Sequence, residues 1–454
     1  KRKVMLNDRN TIAAISTAQG QGGIGIVRLS GNDALNIAKK ICSGTITPRH
    51  VSFHNFQDES QETLDQGIVL YFSNPHSFTG EDVIEFQGHG GQAVLESILS
   101  LCIKYGAKLA EPGEFTKRAY LNNKIDLTQA ESVIDVINAT TLQAVKSASY
   151  SLTGKFSSKI NSLLEKIISL RVYVEACIDF PEEEIDFLEQ GNVIEKLHNI
   201  IAEIDAILDV AKQSELLKNG INLVLIGQPN VGKSTLLNAL AGTEKAIVTK
   251  IPGTTRDLIT SQISIKGIPI NVIDTAGVRE TEDEVEQLGI NKTWEAIQTA
   301  HVAVLLVDIT KGSGDYEEFI LNKLPKGIKK LRLFNKIDLV ARKANVENNN
   351  NEIIIYLSAK LENGIDLLKN TLIERVSDNF HQDSEQSIIL ARSRHIYALN
   401  NVRQSVTKAL INKESSELLA EELTQAQHEL SAITGDYTND DLLGKIFSSF
   451  CIGK

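Results

Sequence analysis

The run Gly227-Gln228-Pro229-Asn230-Val231-Gly232-Lys233-Ser234 has the spacing G-x-x-x-x-G-K-[ST], and that spacing is suited to wrapping a phosphate. It follows an apolar stretch, Ile221 to Ile226, and opens a helix-compatible one, Thr235 to Ala241. Two glycines let the backbone curl with its N–H groups turned inward on an anion. The helix that follows adds the partial positive charge of its N-terminus. Lys233 reaches the outer phosphates, the Ser234 hydroxyl suits Mg²⁺, and Val231, Gly232 and Thr235 complete the cradle.

Three further signals follow in a fixed order. Asp274-Thr275-Ala276-Gly277 ends the apolar run from Ile268 to Ile273, which puts Asp274 beside the phosphates and lets the Gly277 N–H approach a γ-phosphate. Asn335-Lys336-Ile337-Asp338 follows the stretch Leu331 to Phe334, and a carboxylate at Asp338 accepts from both donors on a guanine edge. Adenine has no such pair, and a buried polar site rejects an unpaired analogue by roughly 10⁴-fold. Ser358-Ala359-Lys360 caps the strand-like run from Ile353 to Leu357, with its backbone placed to touch the guanine oxygen. Each short motif is weak alone, but four in order after apolar runs spell a guanine nucleotide site. Between the first and second lies Thr249-Lys250-Ile251-Pro252-Gly253-Thr254-Thr255-Arg256-Asp257, where a first switch belongs and where Thr255 offers Mg²⁺ a second hydroxyl.

Hydrolysis needs a group that orients water, and many such domains carry Gln after D-x-x-G. Here Val278 occupies that place and cannot do so. The acidic residues Glu280, Glu282, Asp283, Glu284 and Glu286 are candidates for the task, although a solvated loop describes most of them equally well. A cation near the phosphates can stand in for an arginine finger, and Asn230 offers it a neutral oxygen.

The elements that must position these groups belong to more than one domain, since 454 residues suggest two or three. From Asn10 to about Lys124 the pattern is mixed: Ile24–Leu29, Gly67–Phe72 and Asp82–Phe86 read as strands, Ala34–Ile41 and Gln92–Tyr105 as helices. Helical periodicity fills 127–177, 193–217 and, after a polar stretch, 388–433. Between them a hairpin over 258–274 turns at Lys266-Gly267, and strands alternate with helices as in a mainly parallel sheet. The expected layout is an α+β domain over 1–124, a helical domain in two parts (125–219 and 379–454) and an inserted Ras-like P-loop domain over 220–378. Asn348 to Asn351 reads as a loop.

Net charge of −11 argues against a broad basic nucleic-acid face, and 5% aromatics give no stacking platform. Four separated cysteines indicate neither a zinc site nor a disulfide framework. No apolar run approaches the roughly eighteen residues of a membrane span, so the expected compartment is the cytoplasm, with no membrane partner. A literal G-x-G-x-x-G at 20–25 leads into a strand-like run, so it reads as a glycine-rich turn and not a dinucleotide fingerprint. Gly88-His89-Gly90-Gly91 fits either a ligand-pocket lining or a tight turn before a helix. Cys451, four from the end, fits a prenylation box poorly.

Taken with 22–31 (GGIGIVRLSG), 78–91 (FTGEDVIEFQGHGG), 111–119 (EPGEFTKRA), 121–131 (LNNKIDLTQAE), 179–187 (DFPEEEIDF) and the ending Phe450-Cys451-Ile452-Gly453-Lys454, these motifs closely resemble the MnmE (TrmE) family of tRNA modification GTPases from about Thr11 onward. The resemblance implies a homodimeric enzyme that binds tRNA and works with the flavoprotein MnmG in a heterotetramer or larger complex. It implies modification of carbon five of a wobble uridine, drawing on 5,10-methylenetetrahydrofolate or a related tetrahydrofolate. It further implies folate contacts at Arg28, Glu85, Lys124 and Lys454, and a functional terminal cysteine at Cys451. For GTP hydrolysis it implies K⁺ activation through Asn230, Thr249, Ile251 and Thr254, Mg²⁺ on Ser234 and Thr255, and a catalytic Glu286 beside Lys233. The competing reading is a regulatory GTP switch in ribosome assembly or signalling.

Overall fold

The computed structural model describes residues 10–179, 191–242, 261–274, 297–298, 300–325, 328–349, 352–376, 391–435 and 440–453. They form two compact units interleaved along the chain. One draws on the chain up to Ile134, on Ser151–Ile201 and on everything from Asn401; the other on Asp135–Tyr150 and Ala202–Asn400.

The first unit is built on a six-stranded sheet in the order β3-β4-β5-β2-β1-β6. Its strands are β1 (Ile12–Ile15), β2 (Gly22–Ser30), β3 (Ser52–Gln57), β4 (Thr63–Phe72), β5 (Val83–Gly90) and β6 (Lys108–Leu109). Strand periodicity sorts the side chains onto two faces. Val27 and Leu29 of β2 join Ile84 and Phe86 of β5 in a core with α1 (Ala34–Ile41) and α2 (Gln92–Lys104). Arg28 and Glu85 therefore lie on the opposite face, and the antiparallel register sets them directly across from each other.

Gly88, His89 and Gly90 belong to β5, which corrects the expectation of a tight turn there. The glycines are required by crowding between strands. A Cβ on Gly90 would stand 2.5 Å from the Gly22 carbonyl oxygen, and one on Gly67 would collide with the carbonyl of Gln87. Likewise the 20–25 motif is partly strand, with an irregular register between Gly22 and Gly25.

The long helical run over 127–177 is three helices, α4 (Leu127–Asn138), α5 (Leu142–Leu152) and α6 (Lys155–Asp179), with Gly154 at φ +79° between the last two. Phe156, Ile160, Leu163, Ile167, Leu170 and Val174 are the buried stripe of α6, spaced alternately four and three apart as in a coiled-coil seam. Helix α7 (Val193–Asn219) ends at Gly220, φ +72°, as a helix-stopping glycine does. At the end of the chain, Leu443, Ile446, Phe447 and Phe450 join Tyr120 and Leu127 in a small cluster. That cluster seats the terminal segment against α3 (Glu114–Leu121) and the start of α4.

The second unit contains a seven-stranded sheet ordered β12-β13-β11-β10-β7-β9-β8. Here β7 is Ile221–Ile226, β8 Ser261–Ile265, β9 Ile268–Asp274, β10 Val302–Asp308, β11 Lys329–Asn335, β12 Asn345–Asn349 and β13 Glu352–Tyr356. The five central strands are parallel, and only the edge pairs β8/β9 and β12/β13 run antiparallel. Helices α8 (Lys233–Ala241), α9 (Asp315–Lys323) and α10 (Ile365–Val376) connect or follow these strands. β10 is buried along its whole length, as a central parallel strand should be. The β8/β9 hairpin turns at Lys266 and Gly267, both at positive φ, as a two-residue turn of the primed type demands. The expectation of a loop at 348–351 is corrected in part, because Asn348 and Asn349 pair with β13. Among the described residues no helix is long and apolar enough to cross a membrane.

Candidate functional site

In the second unit β7 has β9 on one side and β10 on the other, so the chain reverses its direction of travel across the sheet there. A crevice opens at the carboxyl end of such a strand, and ligands of open α/β sheets bind in it. The loop Gly227–Gly232 leaves β7 at that point. Gly227 passes so close to β10 that a Cβ would lie 2.6 Å from the Leu306 carbonyl oxygen. Asn230 and Gly232 adopt left-handed conformations (φ +66° and +101°), which curl the loop back over the start of α8. No side chain caps α8 and its first turn has no acid, so its leading N–H groups and dipole are presented to an anion. The Lys233 ammonium donates to the Gly227 carbonyl at 2.8 Å, spanning the loop it serves. Ser234 and Thr235 are exposed at the same end.

The segment Asn335–Asp338 follows β11 and grips this loop. Asn335, buried, donates through Nδ2 to the Val231 carbonyl at 2.8 Å and accepts from the Ala359 N–H at 2.9 Å. Lys336 donates to the Asn230 carbonyl at 2.8 Å and to Asp308 at 2.6 Å. Asp338 is exposed, with one oxygen accepting the Ser358 hydroxyl at 2.5 Å. Ile337 is buried and anchors the turn, while Lys360 is exposed beside Ser358 and Ala359. Backbone register sets Asp274 beside Leu225, two residues short of the loop. On Asp308, burial pushes the carboxyl up, but the bonds from Lys336 and Thr310 outweigh it and hold it below the usual carboxylate range.

In the first unit Arg28 and Glu85 form an ion pair, with Nε and Nη2 both donating to the single oxygen Oε1 at 2.9 and 2.8 Å. Gln87 donates to the other oxygen of Glu85 at 3.2 Å, and the Arg28 guanidinium stands 5.7 Å from the Phe115 ring centre. The terminal segment joins them: the Gly453 carbonyl accepts from Arg28 at 3.3 Å and from the Ser16 hydroxyl at 3.1 Å. Gly453 has φ +93° and a Cβ there would collide with the Ile15 carbonyl, so only glycine brings the tail this close. The Cys451 carbonyl accepts from the Gly113 N–H at 3.4 Å, and the Cys451 residue is exposed.

Family models match almost the whole chain. One described as the GTP-binding protein TrmE N-terminus covers 11–124, and one described as the MnmE helical domain covers 127–451. Curated relatives called tRNA modification GTPase MnmE include that of Nitrosomonas europaea, 50% identical over 99% of this chain and all of its own length. That of Chromobacterium violaceum is 47% identical over 98% of each chain. The chain belongs to the MnmE family. A solved structure of Aquifex aeolicus Era bound to GDP and AlF₄⁻ covers 40% of this chain and 66% of its own at 24% identity, with a TM-score of 0.28.

As a member of the MnmE family the protein is a GTP hydrolase that acts in tRNA modification. The 227–232 loop, Asp274 at the end of β9, and the Asn335–Asp338 and Ser358–Lys360 segments lie at one end of one sheet. In the other unit Arg28 and Glu85 converge, whereas Lys124 turns its ammonium to the Pro75 carbonyl at 2.9 Å. Thr249, Lys250, Ile251, Pro252, Gly253, Thr254, Thr255, Thr275, Ala276, Gly277, Glu286 and Lys454 lie outside the described residues. Sequence reasoning missed Asp308, Glu317 and Ser16. Glu317, 2% exposed, accepts from the loop residue Gln228 at 2.9 Å. The signal for Asp308 was present, since Val302–Val307 is an apolar run ending in a carboxylate, just as Ile268–Ile273 ends in Asp274.

Proposed function

We propose that the protein is a K⁺-activated GTPase whose first unit carries a tetrahydrofolate one-carbon donor for modifying carbon five of a wobble uridine in tRNA. In this reading it works as a homodimer with the flavoprotein MnmG, in the cytoplasm. The layout follows as 1–124 for folate binding and dimerisation, 125–219 and 379–454 for the helical domain, and 220–378 for GTP.

The observation that carries the folate assignment is the convergence of Arg28, Glu85 and the Gly453 carbonyl at one place. A folate presents carboxylates and a donor-bearing pterin ring. Arginine matches the first in a bidentate fork, and a carboxylate accepts from the second. Lys124 and Lys454 would supply further positive charge for the glutamate tail. Cys451, exposed on the same terminal segment, would act on that ligand.

For the nucleotide, Asn230, Val231, Gly232, Lys233, Ser234 and Thr235 would hold the phosphates, and Asn335, Lys336, Asp338 and Ala359 the base. The exposed Ser234 hydroxyl on the first turn of α8 fits a Mg²⁺ ligand, with Thr255 as its partner. Bound there, Mg²⁺ neutralises charge on the β- and γ-phosphates. A K⁺ held by Asn230, Thr249, Ile251 and Thr254 would take the place of an arginine finger, with Glu286 orienting water in place of the missing glutamine.

Binding of a reduced folate to the full chain, followed by titration calorimetry, tests the reading. Arg28→Ala should weaken it at least tenfold, the scale of a lost charge-assisted hydrogen bond. Undiminished folate affinity in that variant, or none in the wild type, would refute the assignment.

A further inference from the structure

Asp308 stands at the carboxyl end of β10, in register with Asn335 at the end of β11, yet no motif claims it. The residue is 6% exposed, and both of its carboxylate oxygens are engaged. Oδ1 accepts the Thr310 N–H at 3.0 Å and the Thr310 hydroxyl at 2.7 Å. Oδ2 accepts the Lys336 ammonium at 2.6 Å. The carboxylate therefore cannot turn away from the lysine without losing the bonds that Thr310 makes.

The ammonium also donates to the Asn230 carbonyl at 2.8 Å. Asn230 is a non-glycine residue at φ +66°, a conformation that needs support from its surroundings. The Lys336 side chain is 31% exposed. An unanchored lysine in that position would spread over many rotamers in water, because its stem is flexible and its charge well hydrated. With Asp308 in place, a continuous chain of charge-assisted bonds runs from Thr310 through Asp308 and Lys336 to Asn230.

We propose that Asp308 is a positioning residue for guanine-nucleotide binding: through the Lys336 ammonium it fixes the left-handed turn at Asn230, and so the shape of the phosphate loop. The inference rests on the assignment of the 230–235 loop to phosphate and of the 335–338 segment to guanine. It adds that the two halves of the nucleotide site are held in register by a buried carboxylate at the end of β10, the strand between them.

The test is the equilibrium affinity of the full chain for a fluorescent GDP, measured in Asp308→Asn, Lys336→Met and the double variant. Asp308→Asn should raise the dissociation constant about tenfold, as loss of a charge-assisted bond does. Because it acts through Lys336, the double variant should bind no more weakly than Lys336→Met alone. Wild-type affinity in Asp308→Asn, or losses that multiply in the double variant, would overturn the proposal. A wild type that ignores GDP would instead bring down the assignment of the site, and the inference with it. Thr310→Val is the milder probe should Asp308→Asn fail to fold. It removes one bond to Asp308 from an exposed position and should weaken GDP two- to threefold, an effect absent in the Lys336→Met background. No change in Thr310→Val, or the same loss in both backgrounds, would count against the proposal.

Discussion

In the proposed reading Asp338 would meet the base with a carboxylate already steadied by the Ser358 hydroxyl. An amide at that position would present a donor where guanine also has one, and xanthine has a carbonyl to match it. Asp338→Asn should therefore weaken GDP by roughly 10²-fold, the scale set by an unpaired polar group at a recognition site, and improve the binding of xanthosine diphosphate. Competition between the two nucleotides measures this directly, and unchanged preference would remove Asp338 from its role. Asp308 gives a second handle at this scale, through pH. Its folded-state carboxyl lies below the ordinary value, so its contribution to stability is complete above the unfolded carboxyl's range, near pH 4. That contribution fades as pH falls through the lower, folded value. The stability difference between wild type and Asp308→Asn should hold constant from pH 7 to 5 and shrink below about pH 4, as followed by chemical denaturation. A difference that grew in acid would reverse the sign and sink the account.

At the level of elements, much of the architecture was legible because period and punctuation agreed. The apolar run before Gly227, the positive-φ pair Lys266-Gly267 and the stop at Gly220 each point to a single backbone outcome. What sequence could not supply was crowding between strands distant in the chain. Gly88 and Gly90 look like turn residues, yet they lie in β5, because their missing side chains leave room for a neighbouring backbone or side chain. The convergence of Arg28 with Glu85 was legible only by resemblance, since the register that opposes them depends on pairing across 57 residues. The Gly453 carbonyl was hidden altogether, because no motif marks a main-chain acceptor. Gly67→Ala tests the crowding argument. Its new Cβ meets the Gln87 carbonyl and lies 3.0 Å from the Gly88 Cα, both backbone atoms that cannot step aside cheaply. Overpacking of this kind costs about 1–3 kcal/mol or more. Urea denaturation followed in the first unit should register that loss, and a neutral outcome would mean the sheet relaxes more easily than its pairing suggests.

Across the whole molecule the chain passes from one compact unit to the other four times. Each unit has its own core: Val27, Leu29, Ile84 and Phe86 with α1 and α2 in the first, and in the second β7, β10 and β11 with α8 and α10. Units with separate cores are expected to lose structure in separate transitions. In the proposed reading guanine nucleotide binds only the second, since the 227–235 loop, Asp308 and Asn335–Asp338 all belong to it. A ligand stabilises the state that binds it by RT ln(1 + [L]/Kd), about 2.7 kcal/mol at a hundredfold excess over Kd. Calorimetry of the full chain with Mg²⁺ and excess GDP should therefore raise the midpoint of one transition and leave the other in place. A reduced folate should do the converse, because Arg28, Glu85 and the Gly453 carbonyl lie in the first unit. If either ligand moved both transitions equally, the two sites would share one cooperative core, and nucleotide and folate chemistry would be coupled through packing rather than through the interleaved chain.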